Sequence, residues 1–205
     1  SPAAAAALPL AGLTAWRALM TRGALQAGDR VFVSGIGGGV ATAAAKLALA
    51  AGAELVVSSS SAHKIETAVT WGARGGVDYT GEGWRKEALR IGDGGYDVII
   101  DSAGGEGFGQ LARLLAPGGR LVFFGGTRGA WPPLLPQHLF FRQISILGST
   151  MGSPKEFSDL LAFVSNHGVE PHVDQVFELA DGAAAFARME AYQHFGKIVL
   201  AVGNG

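Results

Sequence analysis

Along the chain, short runs of apolar and β-branched residues alternate with longer stretches rich in Ala and Leu. The short runs are continuous: Val98-Ile99-Ile100 and Leu121-Val122-Phe123-Phe124 leave no polar position for solvent. Strands of that kind are buried on both faces, as in a parallel sheet covered by helices. The pattern predicts strands over Arg30–Ser34, Glu54–Ser58, Gly75–Asp78, Tyr96–Asp101, Arg120–Phe124 and Gln143–Leu147, with a late strand over Lys197–Val202. It predicts helices over Ala3–Thr21, Gly38–Ala51, Ala62–Trp71, Gly83–Ile91, Glu106–Leu115, Pro154–His167 and Ala180–Ala191. Strand–helix alternation with short connections gives an α/β fold of the Rossmann type: a doubly wound, parallel, six-stranded sheet with helices on both faces and right-handed crossovers. Gly52 and Gly72 fall where helices end, and Pro117-Gly118-Gly119 reads as a turn feeding the fifth strand. The pattern holds no internal repeat, low-complexity linker or second domain, so residues 1–205 read as one domain.

The first strand runs into Gly35-Ile36-Gly37-Gly38-Gly39-Val40-Ala41 and then a helix. Small residues there meet three needs. Gly35 permits the tight turn out of the strand, Gly37 and Gly38 let a pyrophosphate approach the backbone, and Ala41 lets the new helix pack closely on the strand. The helix start, with Gly39 and Val40, adds free N–H groups and the positive end of its dipole. A plain structural turn, or the similar loop of a methyltransferase, also fits a glycine string; a P-loop does not, since no Gly-Lys-Ser/Thr follows.

An NAD site usually carries a carboxylate at the end of the second strand, for the ribose hydroxyls. Here that position holds Ser58-Ser59-Ser60-Ser61, with Lys64 a turn further on. Hydroxyls and an ammonium group suit a 2′-phosphate, so NADP(H) is expected over NAD(H). A serine N-cap with a solvated lysine is the alternative, and the two are compatible. A methyltransferase would need an acidic residue there.

Composition narrows the picture. About half the residues are apolar (48%), 16% are charged, and the net charge is −1. No basic run offers a footprint for nucleic acid or an anionic membrane. The apolar opening, Ala3 to Leu10, is too short to span a bilayer. There is no cysteine, which removes disulfides and thiolate ligands and points to a cytoplasmic setting. His63, His138, His167, His172 and His194 are scattered without metal-ligand spacing. The start on Ser-Pro rather than Met reads as a fragment boundary.

Several segments together carry a family resemblance. They are Leu8-Pro9-Leu10-Ala11-Gly12-Leu13-Thr14-Ala15-Trp16-Arg17-Ala18-Leu19, the glycine loop, Ser60 to Lys64, Asp101-Ser102-Ala103-Gly104 and Phe124-Gly125-Gly126-Thr127. Ile146-Leu147-Gly148-Ser149-Thr150-Met151-Gly152 and Phe195-Gly196-Lys197-Ile198-Val199-Leu200 complete the set. In that order they resemble the cofactor domain of medium-chain dehydrogenase/reductases, nearest to quinone-oxidoreductase-like and zinc-type alcohol-dehydrogenase-like members.

The resemblance implies hydride transfer between NADPH and a quinone, enone or related conjugated carbonyl, with no catalytic residue supplied by this segment. It places Thr14 near the nicotinamide, Tyr79 near the 2′-phosphoadenosine, Ser102 and Gly125 in cofactor-lining loops, and Phe140 and Phe141 beside the carboxamide. For the aromatic residues, simple packing is an equal reading. Zinc-dependent members carry a zinc-binding Cys four residues before the residue matching Thr14; Leu10 stands there and has no donor atom, so no zinc is expected. The resemblance also implies an absent N-terminal GroES-like domain, and a homodimer through an edge strand over residues 143–152. A non-catalytic dinucleotide-binding or sensor module is the alternative function.

Overall fold

Two sheets organise the chain, which the computed structural model describes over residues 1–203. The larger consists of β1 (Arg30–Val33), β2 (Glu54–Ser59), β3 (Gly75–Asp78), β4 (Tyr96–Asp101), β5 (Leu115–Phe123) and β6 (Ser145–Gly148). Its order is β3-β2-β1-β4-β5-β6, and every pairing is parallel. β7 (Val173–Glu178) and β8 (Lys197–Ala201) make a separate parallel pair.

The continuous apolar strands are buried on both faces because successive side chains point to opposite sides. Val31, Val33, Leu55, Val57, Val98 and Ile100 enter one core. Phe32, Val56, Ile99 and Leu121 enter the other. The first core is closed by α2 (Pro9–Trp16), α3 (Gly39–Ala50), α4 (Ala62–Thr70) and α8 (Pro154–His167), through residues such as Ala15, Ala44, Ala68 and Leu160. The second is closed by α5 (Trp84–Ile91) and α6 (Phe108–Ala112), through Ala88, Phe108 and Leu111. The doubly wound six-stranded sheet is therefore as the pattern predicts.

The departures have local causes. The predicted helix over Ala3–Thr21 is three pieces: α1 (Pro2–Ala7), α2, and a π-helical segment over Arg17–Arg22. Pro9 lacks an N–H and sits at the start of α2, so the break falls before it. The helix predicted over Glu106–Leu115 shrinks to α6, because Leu115 already pairs with Tyr96 as the start of β5. β6 begins at Ser145 rather than Gln143, whose φ of +52° is left-handed. Two elements were not predicted: α7 (Pro136–Phe140) and β7. α9 (Gly182–Glu190) lies within the predicted Ala180–Ala191.

Candidate functional site

Since all six strands run parallel, their carboxyl ends share one edge of the sheet. The strand order reverses between β1 and β4, and at such a switch point a crevice opens outside the carboxyl ends. Ser34, just past β1, donates its hydroxyl to the buried carboxylate of Asp101 at the end of β4. The other Asp101 oxygen accepts from Gly104 N at 2.9 Å. One carboxylate thus fixes the strand end and the following loop across the switch point.

The glycine loop turns at this edge. Gly35 has φ +63°, the left-handed region that favours glycine. Its N–H donates to Ser58 Oγ at 3.1 Å, and Ile36 N donates to Ser58 O at 2.7 Å. Gly38 is the N-cap of α3 and offers no side-chain cap, so the first-turn N–H groups of Gly39 and Val40 lack an intrahelical acceptor. A Cβ at Gly38 would meet nothing within 4 Å, which leaves open space where an anion could approach.

The serine run divides by role. Ser58 and Ser59 are buried and satisfy backbone: Ser58 Oγ takes Gly35 N, and Ser59 Oγ takes Ser61 N at 3.1 Å. Ser60 is exposed, with its hydroxyl 3.4 Å from the Tyr79 hydroxyl that follows β3. Ser61 stands at the N-cap of α4 without a side-chain cap bond. A carboxylate does stand one strand over, at Asp78; its Oδ1 accepts from Thr80 N at 2.9 Å and Thr80 Oγ1 at 2.7 Å.

Lys64 reaches back to the loop. Its Nζ lies 3.2 Å from where a Gly37 Cβ would sit, and donates to His194 O at 2.7 Å. Burial lowers its ammonium pKa, partly offset by Asp174. The residues around His194 form a third wall that sequence reading did not assign to the site. Gly196 N donates to Gly37 O at 2.8 Å, and a Cβ on Gly39 would collide with Lys197 Cδ. The segment is anchored by Asp174, which accepts from Phe195 N at 2.9 Å while paired with Arg188. Two buried atoms near this edge, Ser149 Oγ and His194 Nδ1, have no hydrogen-bond partner among the described residues.

On the far side of the switch point, a Cβ on Gly125 would lie 2.6 Å from Ser102 O, so glycine is what lets the loops after β4 and β5 touch. Thr14 lies buried on α2; its hydroxyl donates to Leu10 O at 2.9 Å and lies 3.9 Å from Met151 Sδ. Phe140 and Phe141 are not brought here. They are exposed beside Arg142, which donates to Leu115 O where β5 begins, and Arg142 O accepts from Gly118 N at 2.8 Å. That is the amino end of the sheet, opposite the glycine loop. A strand's length separates them from the place expected, because they precede β6 rather than follow it.

A doubly wound sheet with a glycine cradle at its switch point defines a nucleotide-binding α/β domain. The sequence profile of the zinc-binding dehydrogenase family matches residues 39–166. The chain belongs to that family, as the dinucleotide-binding domain of medium-chain dehydrogenase/reductases. It is 34% identical over 209 residues to a zinc-type alcohol dehydrogenase-like protein, YogA, of Leptosphaeria maculans, covering 96% of this chain and 58% of the relative. A crystal structure of an NAD-dependent alcohol dehydrogenase superposes with TM-score 0.90 at 38% identity, covering 97% of this chain and 58% of that one. The quinone oxidoreductase of Thermus thermophilus, solved also with NADPH, gives TM-score 0.84 at 30% identity, covering 98% and 67%. The chain thus spans about three fifths of the length of its dehydrogenase-like and quinone-oxidoreductase-like relatives. No helix among the described residues is long and apolar enough to cross a membrane.

Proposed function

We propose that this domain holds NADP(H) for a zinc-independent oxidoreductase that moves hydride to or from a quinone, enone or related conjugated carbonyl. The observation that carries the cofactor preference is the Ser60–Tyr79 hydroxyl pair at the ends of β2 and β3, with the Lys64 ammonium group beside Gly37 of the adjoining loop. Hydroxyls and an ammonium group can bond a 2′-phosphate, and no carboxylate ends β2. Asp78, bonded to Thr80, is the group that opposes this preference.

In this reading the pyrophosphate lies on Gly37, Gly38, Gly39 and Val40, with Gly35, Ser58 and Ser59 shaping the turn beneath it. Thr14, Ser102 and Gly125 flank the nicotinamide half. Bound cofactor supplies the hydride chemistry; the protein orients it and keeps water out. Leu10 at the position of a zinc-binding Cys leaves no donor there, so hydride transfer proceeds without a metal held by this segment. A second domain of GroES-like type supplies the substrate half. β6, the edge of the six-stranded sheet, pairs with its copy in a two-fold homodimer, which covers an otherwise open strand edge. Light scattering tests this, and a monomer counts against it.

Calorimetric titration with NADPH, NADH and S-adenosylmethionine in parallel tests the cofactor. The expected order is NADPH tighter than NADH, with no binding of the third. Lys64→Ala should weaken NADPH roughly tenfold, the scale of one charge-assisted contact, and leave NADH nearly unchanged. Equal affinity for the two dinucleotides in the unsubstituted chain overturns the preference.

A further inference from the structure

We infer that Glu156 is a positioning residue for the nicotinamide end of the crevice, acting through Met151 and Thr14. The inference rests on the dinucleotide reading above. A dinucleotide spanning the switch point puts its phosphates on the β1–α3 turn and its adenosine towards the end of β2. The other half then faces the carboxyl ends of β4, β5 and β6.

α2 joins the two ends of that path. Ala11 Cβ would lie 3.4 Å from a Cβ on Gly39 of the phosphate loop. One turn later Thr14 meets Met151, in the loop that follows β6. Met151 has φ +43°, a conformation a side chain rarely adopts. Such a residue stays there only when its surroundings hold it.

The holding contacts are specific. The loop begins where Ser149 N donates to Phe123 O at 2.8 Å and Gly148 O accepts from Arg22 Nε at 2.9 Å. In its middle, a Cβ on Gly152 would fall 2.5 Å from Leu13 Cδ1, so the backbone lies directly on α2. It ends at Glu156, whose Oε2 accepts from Ser153 N at 2.6 Å and Arg17 Nη1 at 3.2 Å. Glu156 Oε1 accepts from Thr21 Oγ1 at 2.6 Å.

A capping box needs only the reciprocal Ser153–Glu156 bonds, and α8 has both. The bonds to Arg17 and Thr21 are additional. Both donors lie in the π-helical segment that continues α2, and π turns cluster at functional sites. One carboxylate therefore fixes the distance between the helix carrying Thr14 and the loop carrying Met151. Burial alone would raise the Glu156 pKa; the bonds from Thr21, Ser153 and Arg17 outweigh it and hold the group ionised.

The test compares whole cofactor with its adenosine part on the 205-residue chain. NADPH and adenosine 2′,5′-bisphosphate are titrated into the unsubstituted chain, Glu156→Gln and Thr21→Val. Thr21→Val leaves the α8 cap intact and removes only a tie to the helix. The expected result is a loss of NADPH affinity of roughly tenfold in Glu156→Gln, the scale of a hydrogen bond to a charged group. A smaller loss is expected in Thr21→Val, and binding of the bisphosphate should stay within about twofold in both. Parallel loss of both ligands, or no loss of either, overturns the inference while the dinucleotide reading stands. Failure of the unsubstituted chain to bind NADPH or NADH overturns both.

Discussion

Lys64 Nζ donates a 2.7 Å hydrogen bond to the carbonyl oxygen of His194, 130 residues further along the chain. This bond ties α4 to the segment that also pairs with Gly37, so the lysine assigned to a cofactor phosphate already serves the fold. Replacing it with methionine keeps the stem and removes the donor. Lys64→Met should cost the cofactor-free domain about 0.5–1 kcal/mol, a charged-donor bond discounted for its exposure. Urea denaturation without ligand checks this; an unchanged midpoint means that the bond contributes nothing.

Two glycines of the same loop separate folding from binding. Gly38 has ordinary extended backbone geometry, and a Cβ there meets nothing within 4 Å. Gly38→Ala should leave the unfolding midpoint nearly unchanged while weakening any dinucleotide, because the methyl group occupies the phosphate's approach. Gly35→Ala differs: at φ +63° it carries a backbone cost of about 1 kcal/mol. Thermal unfolding and calorimetry on both variants check the pair. Equal affinity of Gly38→Ala and the unsubstituted chain would place the phosphates elsewhere.

The sheet and the glycine turn were legible because both depend on local pattern. Doubly buried strands need unbroken apolar runs, and a tight turn before a helix needs glycine. The wall formed by His194, Gly196 and Lys197 was not legible. Its contacts with Gly37, Gly39 and Lys64 join residues more than 100 positions apart, and no local pattern announces them. β7 was missed because Val173-Asp174-Gln175-Val176-Phe177-Glu178 is half polar and half exposed, as befits one strand of a small pair. Ser58 and Ser59 share their type with Ser60, yet only the end of β2 and the packing over it decide which are buried against the backbone and which faces solvent. Phe140 and Phe141 were placed by resemblance, and parallel topology carries them to the other end of the sheet.

Asp101 is the fixed point of the switch. It is 1% exposed and accepts from both Ser34 and Gly104. Asp101→Ala strands a buried hydroxyl and a buried N–H, at a cost of about 2–3 kcal/mol. Ser34→Ala removes only one partner and should cost less. The two single variants and the double variant form a cycle by urea denaturation; strictly additive losses would show that the pair does not interact.

Acid should weaken the domain through two histidines before its carboxylates respond. Burial lowers the pKa of His172, reinforced by Lys46, and burial lowers that of His194, reinforced by Lys64; Asp174 opposes both. A histidine with a lowered folded-state pKa takes up its proton less readily when folded than when unfolded. Its contribution is complete above the ordinary imidazole value of 6.5 and is lost as pH falls from there towards the folded value. Stability should therefore be level from about pH 8 to 7 and decline below about 6.5. The carboxylates of Asp174 and Glu156 have lowered pKa values, so their contribution is lost further down, below the ordinary values of 3.8 and 4.5. His172 packs edge-on against Trp71 at 5.0 Å and Phe195 at 4.7 Å, so glutamine there leaves a gap and lowers stability at every pH. What His172→Gln should remove is slope: its stability should fall less steeply than the unsubstituted chain's between about pH 7 and 5. Urea midpoints across that range decide it, and parallel curves for the two proteins would assign the decline to other groups.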